Sequence, residues 1–382
     1  MPNESMTSRE RWLAALDGGQ TDRFPVWLKA SFPHWRAAQP DVPPDMDGLE
    51  LQRLLGQDPL ADDSFLPPFE PKNACRTTIE RTAFDGGVRA THITETPDGP
   101  LVGVYTEWPG DGSRHTLTHP AATAEGLERL RWVYRWAENR DARQADLDPE
   151  LAPALSAARK EQEAVHARRA ADGIPLCGYL PCSPLMELIK YQCGLEAFAY
   201  LMADRPELVE EAMALIHMAN LRRIRYLTRF WKGDFVLIIE DASTLLHTPA
   251  WFRQYSAPHL TDYCNELRNG GIRPVLHLCG HLKAILGDIA RIPAAGVEAY
   301  TTPPVGDATL AEGRRHMPDH TLLGGANAAL LLRPVEEIIS AVRDDLSRCP
   351  DRRRIILTSG GVLPPAVSFA KARRIVSEFK KL

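Results

Sequence analysis

The sequence predicts an α/β protein folded as a (β/α)8 TIM barrel, with an inserted antiparallel β meander in its N-terminal third. From residue 174 onward, short apolar runs alternate with amphipathic stretches over about 200 residues, which is typical of buried parallel strands joined by helices. Residues 75–108 instead alternate β-branched and polar residues around two Asp-Gly pairs, which indicates antiparallel hairpins. We therefore expect a single barrel domain over residues 1–382 that carries a β-meander insertion at 75–120.

The N-terminal elements follow from capping and turn residues. Ser8 can cap the helix "RERWLAAL", which the glycines after Asp17 end. The apolar run "RFPVWL" predicts the first strand, and "DPLADDSF" (58–65) is our choice for the second.

The remaining strands are six apolar runs, each followed by a helical pattern. These runs lie at 174–180, 234–240, 274–279, 296–301, 321–326 and 354–359. No G-x-G-x-x-G motif follows any of them, so a nucleotide-binding sheet is less favoured than a closed barrel.

Composition excludes several classes of function. The net charge is −5, from 45 basic and 50 acidic residues, which argues against broad nucleic-acid binding. No stretch approaches the roughly 20 apolar residues that span a bilayer, and the N-terminus lacks the pattern of a secretory signal. Seven scattered cysteines predict reduced thiols, so we expect a cytoplasmic protein.

Polar residues end one apolar strand after another, and in a parallel barrel these ends form the active site. His277 and Cys279 are two residues apart and therefore point to the same side, where they could share a zinc ion. Glu240, at the end of the preceding strand, is the expected third ligand, whereas His281 is expected to begin the next helix. A hydrogen-bonded histidine and a buried thiol remain alternatives, and Asp241 could simply cap a turn.

Longer motifs match a known family in their order and spacing. The stretches "RERWLAALDGGQTDRFPVWL", "TPDGPLVGVYTEW", "GLEAFAYLMADRPELVEEAM", "IIEDASTLLHTPAWFRQYSAPHL", "PVLHLCG", "TLLGGANAALLL" and "ILTSGGVLPP" together extend over nearly all of residues 8–380. In this order the chain resembles the uroporphyrinogen decarboxylase superfamily, and within it the corrinoid-dependent methyltransferase branch. The resemblance implies a (β/α)8 barrel.

The resemblance also implies a metal site. Methyltransferases of the family hold zinc with the His and Cys of an H-x-C motif and a second Cys near the last strand. His277 and Cys279 match the first two positions, but Gly361 stands where the second Cys is expected. Either a carboxylate such as Glu240 completes a different metal site, or the pocket holds no metal.

The function implied by the resemblance is methyl transfer between a small substrate and the cobalt of a corrinoid (cobalamin) carried by a partner protein. Losing one thiolate leaves a metal more electrophilic, which favours the demethylating half-reaction, with aryl methyl ethers, methylamines or thiols as substrates. We expect Glu240, Asp241 and Tyr179 to act in catalysis. The expected substrate-binding residues are Trp27, Lys29, Trp35 and Asn327. A homodimer is included among the expected assemblies.

Two other functions remain open. The first is a decarboxylase that works without metal on a smaller substrate, in which Asp62, Asp63 and Tyr179 would carry more of the chemistry. The segment "LKASFPHWR" lacks the arginines with which the decarboxylases hold their tetrapyrrole, and this argues against uroporphyrinogen itself. The second is a non-catalytic member that binds a small molecule, which the missing cysteine would favour.

Overall fold

The computed structural model describes residues 4–43, 45–63, 76–108, 113–144 and 151–382. Its strands are β1 (Val26–Lys29), β2 (Ala61–Asp62), β3 (Thr77–Phe84), β4 (Gly87–Thr94), β5 (Leu101–Trp108), β6 (Ser113–Thr118), β7 (Leu176–Leu180), β8 (Phe235–Ile239), β9 (Arg273–His277), β10 (Gly296–Tyr300), β11 (Thr321–Gly325) and β12 (Ile355–Val362). Eight of these form one curled sheet in the order β1-β12-β11-β10-β9-β8-β7-β2, and every pairing in it is parallel. The predicted barrel class is confirmed.

In the sequence, helices alternate with the strands of this sheet and follow the meander. They are α1 (Ser8–Asp17), α2 (Pro33–Ala37), α3 (Gly48–Leu54), α4 (Ala124–Gln144), α5 (Leu151–Ala171), α6 (Pro184–Glu187), α7 (Leu195–Asp204), α8 (Pro206–Phe230), α9 (Pro249–Trp251), α10 (Ala257–Asn269), α11 (Leu286–Ile289), α12 (Leu310–His316), α13 (Ala328–Leu331), α14 (Val335–Ser347) and α15 (Phe369–Phe379). In the part of the chain that the structure describes, no helix is both long and apolar enough to cross a membrane.

The free edge of β1 is closed by side chains, and we call this region the seam. The backbone N–H of Val26 donates to Asp58 Oδ2 at 2.8 Å, and the N–H of Asp58 donates to the Val26 carbonyl at 2.8 Å. The N–H of Leu28 donates to Gln57 Oε1 at 2.7 Å. Two side chains just before β2 therefore satisfy backbone groups that would otherwise be exposed at a sheet edge.

Helix α1 supplies a large part of the barrel core. Its Trp12 is fully buried and stacks on Phe235 at a ring distance of 5.6 Å, while it meets Trp27 edge-on at 5.8 Å. Thr7 caps the helix in a capping box with Glu10, one residue before the predicted cap. The capping box is the stronger arrangement because two backbone donors are satisfied reciprocally.

The predicted meander is present as the four-stranded antiparallel sheet β3-β4-β5-β6. Strands β3 and β4 pair from Thr77 opposite Thr94 to Phe84 opposite Gly87. The turn between them contains Gly86 at a φ of 71°, a backbone conformation that glycine adopts without steric cost. The Asp-Gly pair therefore marked this hairpin correctly.

Two compact units are present. The first comprises Met1–Phe65, Glu161–Leu180 and Trp231–Leu382, and it contains the eight-stranded sheet. The second comprises Leu66–Lys160 and Pro181–Phe230, and it contains the meander together with α8. The description of the chain as one domain with an insertion at 75–120 stays a prediction.

Candidate metal centre

Three potential metal ligands meet at the carboxyl ends of β8 and β9. His277 is the last residue of β9, Cys279 follows it by two positions, and Asp241 follows β8. The backbone N–H of Asp241 donates to the His277 carbonyl at 2.9 Å, which continues the strand pairing past the end of β8. The site therefore lies where parallel barrels place their chemistry.

The donor atoms of this group are close enough to share one ion. His277 Nε2 lies 2.9 Å from Asp241 Oδ1, and the Cys279 thiol donates to the same oxygen at 3.5 Å. All three ligand atoms lie within 4.8 Å of one another. Imidazole nitrogen, thiolate sulfur and carboxylate oxygen are the ligand types of zinc, and three protein ligands are typical of a catalytic zinc site. The residues present therefore fit a zinc ion.

A buried carboxylate holds the other side of the imidazole. Glu298 in β10 is completely buried, and its Oε2 accepts a hydrogen bond from His277 Nδ1. Its other oxygen, Oε1, lies 2.6 Å from Nζ of Lys29 at the end of β1. A metal-binding histidine typically donates its second ring N–H to such a group, which fixes the tautomer and the ring orientation. The arrangement leaves Nε2 facing Asp241 and Cys279.

The charges of these groups shift one another's pKa values. Burial alone would raise the pKa of Glu298, but the ammonium of Lys29 and the imidazolium of His277 lower it to about 2. Burial alone would lower the pKa of His277, but Glu298 and Asp241 hold it well above its usual range. In the metal-free protein the two carboxylates therefore favour the protonated, cationic form of His277.

This pairing predicts a pH-dependent stability of the metal-free protein. A raised pKa in the folded state contributes stability that is complete below the unfolded value of 6.5 and is lost as the pH rises through the folded value. We expect the melting temperature of the metal-free protein to fall on the alkaline side of 6.5 more steeply than that of His277→Gln. Thermal unfolding in chelator across this pH range measures the difference. Parallel curves for the two proteins would contradict the assignment.

The backbone beside the candidate ligands has a positive φ at Asp241 and at Gly280. Asp241 has a φ of 51°, in the left-handed region that few residues other than glycine, asparagine and aspartate adopt readily. Gly280 has a φ of 93°, and a Cβ on it would lie 2.8 Å from Ser243 Oγ. Glycine therefore lets the chain turn sharply after Cys279, beside the loop that carries Asp241.

The carboxylate in this group of ligand atoms differs from the predicted third ligand. Asp241, and not Glu240, belongs to the group of ligand atoms, and Glu240 is completely buried. Asp241 is thus placed at the site as expected, but as a candidate ligand. His281 is not a member of the group either. A Cβ built on Gly361 would have no atom within 4 Å, so packing does not explain why a cysteine is missing there.

Three of the predicted substrate-binding residues have structural roles. Trp35 is completely buried, and its indole N–H donates to the Val367 carbonyl at 2.8 Å. Asn327 is also buried; it caps α13 by accepting from the Leu330 N–H, and its amide donates to Thr302 and Pro303. Trp27 packs in the barrel core at 3% exposure. The indole N–H of Trp35 and the amide of Asn327 thus form hydrogen bonds within the protein itself.

Lys29 and Tyr179 are paired with carboxylates. Lys29, for which we predicted a contact with a substrate, forms an ion pair with Glu298. The Tyr179 hydroxyl donates to Asp62 Oδ1 at 2.6 Å, and burial raises the pKa of Asp62. Asp63 accepts from the indole N–H of Trp231 at 2.8 Å. Tyr179 and Asp62 thus remain together as candidates for proton transfer.

Sequence reasoning missed Glu298, although the sequence carries a signal for it. The residue interrupts the apolar run "GVEAY", and a carboxylate inside a buried strand requires a charged or hydrogen-bonding partner. That partner could not be chosen from the sequence, because Lys29 and His277 come from distant segments.

Comparison with known proteins agrees with this architecture. The family model described as "Uroporphyrinogen decarboxylase (URO-D)" matches residues 137–382, which is more than half of the chain. The chain belongs to this family, as the resemblance implied.

Individual relatives are distant. A uroporphyrinogen decarboxylase of Xanthomonas euvesicatoria is 25% identical over 347 residues, with 85% of each chain covered. One of Xanthomonas campestris is 24% identical over 310 residues, covering 77% of this chain and 75% of the relative. Among solved structures, a methyltransferase from Methanosarcina mazei superimposes with a TM-score of 0.59 at 15% identity over 99% of both chains. At this identity the match shows a shared fold.

Proposed function

We propose that the protein is a metal-dependent methyltransferase that moves a methyl group between a small methylated substrate and the cobalt of a corrinoid on a partner protein. The observation that carries the proposal is the group Asp241, His277 and Cys279, whose oxygen, nitrogen and sulfur atoms converge within 4.8 Å. A decarboxylase that works without metal has no need of a thiol in this position. The fold shared with a methyltransferase from Methanosarcina mazei is consistent with the proposal.

The three residues would hold a zinc ion, and Glu298 would orient the histidine. A zinc ion supplies Lewis acidity, which makes a heteroatom bonded to methyl a better leaving group or lowers the pKa of a thiol. Binding requires His277 to release the proton at Nε2, while the proton at Nδ1 stays on its hydrogen bond to Glu298. Asp241 would exchange its contact with that proton for a contact with the metal.

The partial exposure of the ligands fits a reaction that a second molecule must reach. The side chains of His277 and Asp241 are 18% and 22% exposed, whereas Glu298 behind them is sealed. The side chains of these two candidate ligands are therefore partly accessible, and the orienting carboxylate is not. We infer that the substrate and the corrinoid approach from the carboxyl ends of the strands.

The proposal predicts a change in the cobalt spectrum. Purified protein is mixed with a corrinoid protein reduced to cobalt(I) and with aryl methyl ethers, methylamines or methyl thioethers, and the visible spectrum is followed. We expect at least one class to methylate cobalt with the wild type and not with Cys279→Ala. If no class changes the spectrum although zinc is bound, the methyltransferase proposal fails.

A decarboxylase is the second candidate, and the pair Tyr179–Asp62 favours it. The carboxyl group of Asp62 has a raised pKa and a short hydrogen bond to the phenol, which suits a group that passes a proton. The curated relatives are also named decarboxylases. Carbon dioxide release from uroporphyrinogen and from smaller aromatic acids, lost in Asp62→Asn but kept in Cys279→Ala, would favour this function instead.

A further inference from the structure

Lys29 is a buried cation that forms an ion pair with a buried carboxylate. Only 5% of its side chain is exposed, and its Nζ lies 2.6 Å from Glu298 Oε1. A buried ammonium must be paired, and this pairing makes it unsuited to hold a substrate. Lys29 lies at the end of β1 and is connected to the candidate metal centre through Glu298.

Glu298 divides its two oxygens between Lys29 and His277. Oε1 faces Nζ of Lys29, and Oε2 accepts from Nδ1 of His277. The backbone also aligns the two elements, because Glu298 stands opposite His277 in the register of β9 and β10. The strand register fixes the backbone position of Glu298, and the contact with Lys29 fixes the position of its carboxylate.

We propose that Lys29 is a positioning residue for the metal centre: by holding Oε1 of Glu298, it keeps Oε2 on Nδ1 of His277 and thereby keeps Nε2 turned toward Asp241 and Cys279. The inference rests on the proposed metal site and assigns to it a residue that does not touch the metal. Groups that orient a metal-bound histidine contribute about 10–100-fold to metal affinity. Lys29 would act one contact further out, through the glutamate.

Charge repulsion alone predicts the opposite change in zinc affinity when Lys29 is removed. A lysine cation near a bound metal cation repels it, so removal of the charge alone would strengthen metal binding. Positioning predicts weaker binding, because an untethered Glu298 no longer holds the imidazole in one orientation. The direction of the change therefore separates the two effects.

The test compares the zinc affinity of Lys29→Met with that of the wild type, by competition with a chromophoric chelator. We expect affinity to fall by up to about 10–100-fold. Lys29→Gln should lie between the wild type and Lys29→Met, because its amide could donate one hydrogen bond to Glu298. The absorption bands of the cobalt(II)-substituted protein should also change, since they report ligand geometry. An unchanged or higher affinity in both variants would overturn the proposal.

A matched control separates positioning from general damage. Arg9→Met breaks another ion pair of the same barrel, in which Arg9 lies 2.6 Å from Asp234 at the amino end of β8. We expect this variant to lose thermal stability but to bind zinc with unchanged affinity and an unchanged cobalt spectrum. Equal losses of affinity in Arg9→Met and Lys29→Met would mean that Lys29 has only a structural role.

A double-mutant cycle tests the route through the glutamate. In a Glu298→Gln background, Lys29→Met should change zinc affinity little, because the contact that transmits its effect is already altered. The same loss in both backgrounds would show that Lys29 does not act through Glu298. If the wild type itself binds no zinc, the proposed metal site fails; if it binds zinc and the lysine variants bind equally well, only this inference fails.

Discussion

Replacing His277 by alanine should remove zinc binding almost completely. The residue is the nitrogen donor of the group, and it also links Asp241 to Glu298. Loss of a direct ligand should exceed the roughly 10–100-fold that loss of an orienting group costs. Zinc content after dialysis, together with chelator competition, measures the effect.

His281→Ala is the matched control for this prediction. It removes an imidazole four positions along the chain that does not belong to the ligand group. We expect His281→Ala to retain stoichiometric zinc and wild-type affinity. Zinc retained by His277→Ala, or lost equally in both variants, would exclude the proposed ligand set. Cobalt methylation should follow metal content in the same series.

Among the proposed variants, Asp58→Ala should lower the free energy of unfolding the most. Asp58 is buried and accepts from two buried arginines, from Arg11 Nη1 at 2.5 Å and from Arg23 Nη1 at 2.7 Å. It also accepts from the Val26 backbone N–H at the seam. Breaking a buried pair from one side typically costs about 3–5 kcal/mol. Because Arg11 keeps its ion pair with Asp22 and Arg23 keeps its ion pair with Glu4, we expect a loss at the lower end of this range. Urea unfolding followed by circular dichroism measures the loss.

The control for this variant is an exposed ion pair. Glu336 pairs with Arg374 where both side chains are largely exposed, and exposed pairs contribute little. We expect Glu336→Ala to unfold at the urea concentration of the wild type. An equal, small shift for Asp58→Ala would show that the seam and its arginines do not hold the barrel together as we infer.

The barrel could be predicted because its evidence is local. Each buried parallel strand is a continuous apolar run, and each helix follows within a few residues, so pattern and chain order were sufficient. His277 and Cys279 were likewise recognisable, because two residues on one strand face share a direction wherever the strand lies.

The carboxylate that meets His277 could not be predicted because alternation fails where a strand ends. Glu240 and Asp241 are consecutive, and the choice between them depends on the backbone after Ile239. Asp241 adopts a φ of 51°, which no extended-strand rule anticipates. A left-handed residue redirects its side chain, so the shorter carboxylate reaches His277 while Glu240 is buried.

The hydrogen bonds of two predicted substrate residues could not be predicted for a different reason. Asn327 follows β11 and Trp35 lies in α2 after the first strand, and both form hydrogen bonds within the barrel. A tryptophan N–H and an asparagine amide satisfy backbone groups as readily as they meet a ligand. The sequence shows which side chains can form hydrogen bonds, but the fold determines their partners.

The seam also protects the protein against association with other chains. A parallel strand with an open edge is a template for intermolecular strand pairing, and Val26 and Leu28 lie in a short, apolar strand of that kind. The side chains of Asp58 and Gln57 accept hydrogen bonds from the backbone N–H groups of this strand, so a strand of a second molecule cannot pair with them. Molecules that lose these hydrogen bonds would expose an unpaired strand edge while most of the barrel is still folded. Aggregation would then precede full unfolding.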